Sequence, residues 1–522
     1  MELLPNVRGM KAIKFKFSQC DERFRQDAEN IIHLFYGEGD IAPGDGEAVD
    51  LCVWIEVGEA DRTVASGSGN ARPDRGSCEA RVRLSDMRGK SVTRIATRPS
   101  GEAKRAVNLA LLDALGAYTG IEQPWGILTG VRPTKLYHRL WQQGKDAAAI
   151  ASSLQQDYQI SRKKINVMER IVRRQLIAVP DLYQLQNEVS LYIGIPFCPT
   201  KCSYCTFPAY AIQGRQGSVN HFLTGLEEEI RQIGSWLTER ELGVTSIYFG
   251  GGTPTSISAE EMDRLFAAVA ESFPRHGRSR ELTVEAGRPD TITADKIRVM
   301  HRWGVDRISV NPQSFTQATL DVIGRHHSVE ETVEKFLLAR EMGMGNINMD
   351  LIVGLPGEGM EEFCHSLQMV QRLMPESLTV HTLSFKRASE MSRNRERYRV
   401  ADGEEVARMV EWTEAWTEAR GYEPYYLYRQ KNILGNQENV GYALPGMESI
   451  YNIAMMEERQ TILGLGCGAV SKIVSPHSGK ITRFANPKDP KVYTDHFRQY
   501  LEQRQRLLDE AYRVPAAGAR QG

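Results

Sequence analysis

A chain of 522 residues, 41% of them hydrophobic and 25% charged, reads as soluble and globular, and it is too long for one ordinary domain. Lys and Arg number 65 against 66 Asp and Glu, a formal charge of −1, so composition gives no general reason to expect nucleic acid or an anionic membrane as partner. No run reaches the ~18 consecutive apolar residues of a spanning helix. The opening "MELLPNVRGMKAIKFKF" has no apolar core followed by a cleavage site, so a cytoplasmic chain with reduced thiols is expected.

Residues 1–185 mix strand-like runs, "AIKFKF", "LCVWIEV" and "ARVRLS", with helical ones. "AKRAVNLALLDALGAY" (103–118) and "KKINVMERIVRRQLIAV" repeat apolar residues at helix spacing. The reading is an N-terminal α+β domain with a helical linker and no catalytic constellation. The Gly-x-Arg-Pro turn in "GILTGVRPTKLYHRLWQ" reads as a plain helix cap rather than an anion site.

Across 186–385 the pattern becomes a regular alternation. The predicted strands are 191–195, 246–250, 282–286, 307–311, 347–353 and 378–383, separated by amphipathic helices. In the first of these helices Phe222, Leu226, Ile230, Ile233 and Leu237 recur at 3.6-residue spacing. Alternating strands and helices mean a parallel sheet, which right-handed crossovers should curl into a partial barrel of six units. Six fall short of the eight that close a barrel, leaving a lateral gap for a large substrate. From 386 to 522 a charged stretch, "KRASEMSRNRERYRVADGEE", leads into a helix over 404–419, then the Tyr-rich "GYEPYYLYRQKNILGNQENVGY" and the Gly-rich "TILGLGCGAVSK". This segment is expected to be a smaller C-terminal domain.

Reactive groups of such barrels sit on loops after the carboxyl ends of the strands. "FCPTKCSYCTF" (197–207) places Cys198, Cys202 and Cys205 in the loop after the first predicted strand. Zinc would need a fourth ligand, usually from a downstream Cys or His pair, and no such pair follows. A disulfide would strand one thiol. An iron–sulfur cube held at three corners remains, with its fourth iron open to a non-protein ligand. Cys20, Cys52, Cys78, Cys364 and Cys467 are scattered singly and read as small buried hydrophobes. "GGGTPT" (250–255) ends the second strand, and its glycines let backbone amides approach a ligand. Glu285 ends the third strand, a carboxylate suited to a ribose or an ammonium group, and Gln313 follows the fourth. Asp350 lies inside the apolar fifth, where an acid is costly unless paired or ligand-bound.

The Cys-x3-Cys-x2-Cys spacing, with Tyr204 before the last cysteine, resembles the radical S-adenosylmethionine (SAM) superfamily. The resemblance implies a radical SAM partial (β/α)6 TIM-like barrel, one 4Fe–4S cluster, and SAM chelated at the open iron and cleaved to a 5′-deoxyadenosyl radical. Together "YIGIPFCPTKCSYC", "YFGGGTPT", "VEAGRPD", "RISVNPQSF", "NMDLIVGLPGE" and "GLGCGAVSK" are similar to the oxygen-independent coproporphyrinogen III oxidase group. The N-terminal extension and "YYLYRQKNILGNQENVGY" look most like its HemZ-type dehydrogenases. The implied reaction is oxidative decarboxylation of two propionates to vinyls, giving protoporphyrinogen IX in haem biosynthesis. Matched motif to motif, Tyr192, Gly251 and Glu285 would serve a first SAM. Tyr204, Gly252, Thr253, Gln313, Arg325 and Asp350 would serve a second, with Ser384 at a further position of that site. The oxidases carry a fourth cysteine where this chain has Phe207. Members lacking it include the haem-chaperone branch, so haem carriage with a retained cluster is the alternative.

The implied partners are a tetracarboxylate porphyrinogen and a reductant such as flavodoxin or ferredoxin, with no membrane or nucleic acid. An RNA-modifying enzyme of the same superfamily is the weakest rival, because residues 1–185 lack a clear basic stripe with interleaved aromatics. Lys386, Arg387, Arg393, Arg395, Arg397, Arg399, Arg429 and Lys431 offer cations that suit propionates, although a solvated hinge is the plainer reading. His326 and His327 are candidate haem ligands, more simply read as a surface pair.

Overall fold

The computed structural model describes residues 14–36, 49–59, 76–210, 219–273, 279–386 and 388–513, and Arg387 falls outside them. The chain divides into two compact units, Met1–Glu169 and Arg170–Gly522.

In the first unit β1 (Phe15–Gln19), β2 (Leu51–Glu59), β3 (Ser77–Ser85) and β4 (Ser91–Pro99) form a sheet in chain order. β1 and β2 are parallel and the other pairs antiparallel. Period-2 alternation in β3 buries Cys78, Ala80, Val82 and Leu84. They join one core with Ile31 and Ile32 of the helix Glu22–Tyr36 and Leu111 and Leu115 of Ala103–Thr119. β4 was not expected, because its residues are nearly all exposed or half-buried and carry no apolar alternation.

In the second unit β5 (Glu188–Ile195), β6 (Gly243–Gly251), β7 (Glu281–Glu285), β8 (Arg307–Ser309), β9 (Ile347–Val353) and β10 (Ser377–Thr382) pair in parallel, each beside the next. Helices Val219–Glu239, Ala259–Ser272, Ala294–Arg302, Val329–Glu341 and Met360–Leu373 connect them, giving the partial (β/α)6 barrel. All five apolar stripe residues of Val219–Glu239 are buried. Each contributes about 1.5–3 kcal/mol of burial, which is why this face and not helix propensity fixes the helix on the sheet.

The residues after 386 depart from the expected separate domain. β12 (Asn439–Ala443) extends the same sheet beyond β10, antiparallel to it, and β11 (Glu423–Tyr428) follows, antiparallel to β12. β13 (Thr461–Gly466) pairs in parallel with β5, and β14 (Val470–Val474) and β15 (Ile481–Ala485) follow. Among the described residues the sheet thus runs through eleven strands, with added strands beside both β5 and β10, and its end strands β11 and β15 do not pair with each other. The boundary expected at 185 lies earlier for a packing reason. Val179, Leu182 and Leu185 are buried against Tyr425, Tyr426 and Ile453 of the second unit.

Candidate active site at the carboxyl ends of the parallel strands

A cavity of about 380 Å3 opens where β5 to β10 end. That is within the usual span of small-molecule sites. The loop after β5 forms one wall and is held by neighbours on three sides. The Thr253 amide donates to Phe197 O (2.7 Å), the Ser203 amide to Ile323 O (3.0 Å), and the Met391 amide to Ser203 O (2.9 Å). Cys198, Cys202 and Cys205 all line the cavity. Burial pushes the Cys198 thiol up to about 11 and raises that of Cys205. These thiols are therefore protonated at neutral pH until a metal displaces the proton. Among the described residues no three His, Cys, Asp or Glu side chains converge on a point that would hold a single metal ion.

Opposite the thiols stands the turn after β6. Gly251 has φ +111°, which side chains rarely adopt. A Cβ on Gly252 would lie 2.6 Å from Phe197 O, so only glycine lets this turn meet the cysteine loop. Thr253 Oγ1 sits 3.3 Å from Cys198 Sγ.

Glu285, at the end of β7, accepts from Tyr248 OH at 2.6 Å. Burial raises its carboxyl to about 7, with nearby Asp350 adding to the rise and the Tyr248 hydrogen bond opposing it. Gln313 holds a left-handed backbone (φ 67°), fixed by its amide donating to Asp350 O and its carbonyl accepting from Ile352 N. Its Oε1 is buried without a partner, as are Asn311 Oδ1, Ser309 Oγ and Arg307 Nη1, all from residues lining the same cavity. Arg325 is 3% exposed, and it donates to Gly287 O (2.6 Å), Asn311 O (3.0 Å) and Tyr204 OH (3.3 Å).

Of the residues singled out in the sequence, the cavity gathers the three cysteines, Tyr204, Gly251, Gly252, Thr253, Glu285, Gln313, Arg325, Asp350, Ser384 and Lys386. Tyr192 is set back from its wall. Its ring stacks with Tyr248 and Tyr451, with centroids 6.1 and 6.2 Å away, and its hydroxyl would lie 3.1 Å from a Cβ on Gly250. Asp350 is already paired, which explains how an acid survives in β9. Asn348 Nδ2 donates to it at 2.7 Å and His381 Nε2 lies 3.6 Å away. Burial works against its ionisation, yet His381, Asn348 and Arg307 outweigh burial and hold the carboxyl below the usual range.

Arg393, Arg395, Arg397 and Arg399 are exposed and do not line the cavity, and Arg429 is buried, donating to Asn436. The expected surface pair of histidines is split. His326 is exposed, whereas His327 is 1% exposed, and burial, then Arg325 and Arg288, push its imidazole down to about 3. Sequence reasoning missed Arg307 and His381. Each is a charged or polar residue inside an apolar strand, the signal that had singled out Asp350. Arg307 donates to Ser377 Oγ (2.8 Å), and His381 Nδ1 lies 3.2 Å from Tyr428 OH.

Parallel strands ending in a three-thiol loop, a glycine turn and buried polar atoms without partners define a radical SAM site, and residues 192–370 match the model of the radical SAM superfamily. Over 494 residues the chain is 54% identical to the oxygen-independent coproporphyrinogen-III oxidase-like protein HemZ of Bacillus subtilis, covering 94% of this chain and 97% of that one. It is 32% identical to the heme chaperone HemW of the same organism over 54% of this chain and 70% of that one. A solved structure of coproporphyrinogen III oxidase (HemN) from Escherichia coli aligns with 61% of this chain and 71% of that one at 23% identity, with a TM-score of 0.49. The chain therefore belongs to the family of oxygen-independent coproporphyrinogen-III oxidase-like radical SAM proteins. Its cofactors are those of the superfamily, a 4Fe–4S cluster and SAM. The cavity fits them. Three thiols face it, a glycine turn admits close backbone approach, and five buried polar atoms of its lining residues, Arg325 Nε with the four above, lack a protein partner.

Proposed function

We propose that this protein is a radical SAM enzyme that oxidatively decarboxylates propionate side chains of coproporphyrinogen III to vinyl groups. The observation that carries the reading is the gathering of Cys198, Cys202 and Cys205 in one cavity with unpartnered polar atoms and the buried cations Arg307 and Arg325. The three thiolates would hold the cluster, and Tyr192, Gly251 and Glu285 would serve the SAM docked on it. Tyr204, Gly252, Thr253, Gln313, Arg325 and Asp350 would serve a second SAM, with Asp350 oriented by His381 and Asn348. When bound, cluster and SAM supply a carbon-centred radical able to abstract hydrogen β to a carboxylate.

The chain's own residues do the rest. Gly251 and Glu285 would hold the nucleoside of the cluster-bound SAM, so that reactive carbon and substrate hydrogen meet in one orientation. Arg307 and Lys386 offer cationic groups for a propionate at the wall. Burial lowers the Lys386 ammonium, with the neighbouring Cys205 opposing that shift. The substrate would be a tetracarboxylate, the electron source a carrier such as flavodoxin or ferredoxin, and the location cytoplasmic. Among the described residues no helix is long and apolar enough to cross a membrane.

Haem carriage is the second reading, favoured by Phe207. It stands in place of the oxidases' fourth cysteine, is 57% exposed, lines the cavity, and has Lys386 Nζ 5.6 Å from its ring centroid. Anaerobic incubation of reconstituted protein with SAM, reductant and coproporphyrinogen III separates the two. The decarboxylase reading expects 5′-deoxyadenosine together with tri- and dipropionate products. SAM turnover without decarboxylation would remove it, and stoichiometric haem uptake without SAM cleavage would favour carriage.

A further inference from the structure

The cysteine loop has two faces. Cys198 and Cys205 line the inner cavity, and Cys202 is the one of the three thiols that lines both it and a separate recess, with Lys201, Glu390, Arg393 and Asn394. The far side of the recess is the segment after β10, fastened to the loop by the Met391 amide donating to Ser203 O at 2.9 Å.

The charge around the recess is one-sided. Lys201, Arg393, Arg395, Arg397 and Arg399 are exposed, against two exposed carboxylates, Glu390 and Glu396, on the same segment. Arg393 turns its guanidinium on backbone carbonyls, donating to Ala388 O at 3.4 Å. Arg395 lies over the Phe385 ring, 4.4 Å from its centroid. Among the described residues none of these five cations makes an ion pair, whereas Glu390 accepts a neutral hydrogen bond from Tyr398 OH (3.2 Å). In a chain of formal charge −1 this local excess is built rather than compositional. Unpaired exposed cations fit an acidic macromolecular surface and speed its encounter.

We propose that the recess over Cys202 is the docking surface for a small acidic protein that delivers single electrons to the cluster. This rests on the cluster reading above and adds where the reductant binds. In the step one electron leaves the carrier, which is oxidised by one equivalent, and the cluster is reduced by one, with no bond made or broken. Delivery on this face leaves the inner cavity free for SAM and substrate.

Reduced flavodoxin is the probe, mixed anaerobically in a stopped-flow instrument with reconstituted protein while the cluster's visible absorption is followed. Lys201→Glu and Arg393→Glu should each slow reduction by about tenfold at low salt, the gap closing as ionic strength rises. Arg393→Lys should match the wild type. Photoreduced deazaflavin, a small reductant that needs no docking, should reduce all of them alike. Binding of oxidised flavodoxin should weaken in parallel. Equal flavodoxin rates in every variant would overturn the proposal. So would unchanged rates with a raised substrate KM, which would mean that the cations steer the porphyrinogen carboxylates instead. Wild-type protein that holds no iron would overturn the cluster reading itself, and this inference with it.

Discussion

Two buried polar regions of the second unit solve the same problem in opposite ways. Beneath the C-terminal helix Pro490–Ala511, Glu229 accepts from Arg504 (2.5 Å), Asn486 (2.9 Å), the Gly466 amide (2.7 Å) and Tyr493 OH. Both oxygens of that carboxylate are used, and Glu229 and Arg504 are each 1% exposed. On β8 and the segment after it, by contrast, Gln313 Oε1, Asn311 Oδ1, Ser309 Oγ and Arg307 Nη1 are buried and find nothing. Leaving a buried polar atom unmet costs about 1–3 kcal/mol. The clamp leaves Arg504 Nε without a partner, whereas five such atoms, Arg325 Nε among them, gather on residues lining one cavity. The first region is a clamp that ties helix to sheet, and the second is kept open for ligands.

The largest effect should come from the thiols. Cys198→Ala, Cys202→Ala or Cys205→Ala should each abolish the brown colour and iron content of the anaerobic protein, while Cys364→Ala and Cys467→Ala retain both. Equal losses at all five positions would mean the ligands are misassigned. Next comes the clamp. Glu229→Ala leaves the Arg504 charge buried without its counter-ion and should lower stability by about 3–5 kcal/mol in chemical denaturation. A loss under about 1 kcal/mol would show that the pair behaves like a surface bridge.

Glu358 stands between the two regimes, 4% exposed and accepting from Ser314 beside Gln313. Burial raises its carboxyl from 4.5 to about 7, against the hydrogen bonds from Ser314 and Thr319. A carboxyl raised on folding takes up a proton between those values. The folded state thus keeps its full stability below about 4.5 and loses up to about 3 kcal/mol as pH rises through 7. Glu358→Gln should flatten that fall in a pH series of denaturation midpoints. An unchanged slope would mean the carboxyl ionises freely. The smallest effect on stability belongs to the open region. Gln313→Met should leave the ligand-free protein within about 1 kcal/mol of wild type and weaken SAM binding about tenfold, by about 1.4 kcal/mol. A large stability loss with intact SAM binding would assign Gln313 to the clamp class.

Much of this was readable in the residues, and the reasons differ by region. The six parallel strands and their helices announce themselves through local periodicity, and the thiols, the glycine turn, Glu285, Gln313 and Asp350 stand at strand ends or break apolar runs. What escaped is long-range. β13 is "TILGLG", noted in the sequence only as Gly-rich, yet a Cβ on Gly464 would lie 2.7 Å from the Val470 backbone, so this glycine serves close strand packing. Its pairing with β5 spans more than 250 residues and leaves no local mark. Tyr192 matched a motif, but its ring is occupied by a tyrosine stack that no spacing reveals. The split of His326 from His327 depends on which side of the Arg325 turn faces the core.

Electron paramagnetic resonance of the reduced, reconstituted protein, recorded before and after adding SAM, bears most directly on the account. Three thiolate corners with the fourth open require iron in place of zinc, and a signal whose g-values shift when SAM binds. A spectrum unmoved by saturating SAM, or a fourth side chain found on the cluster, would contradict it.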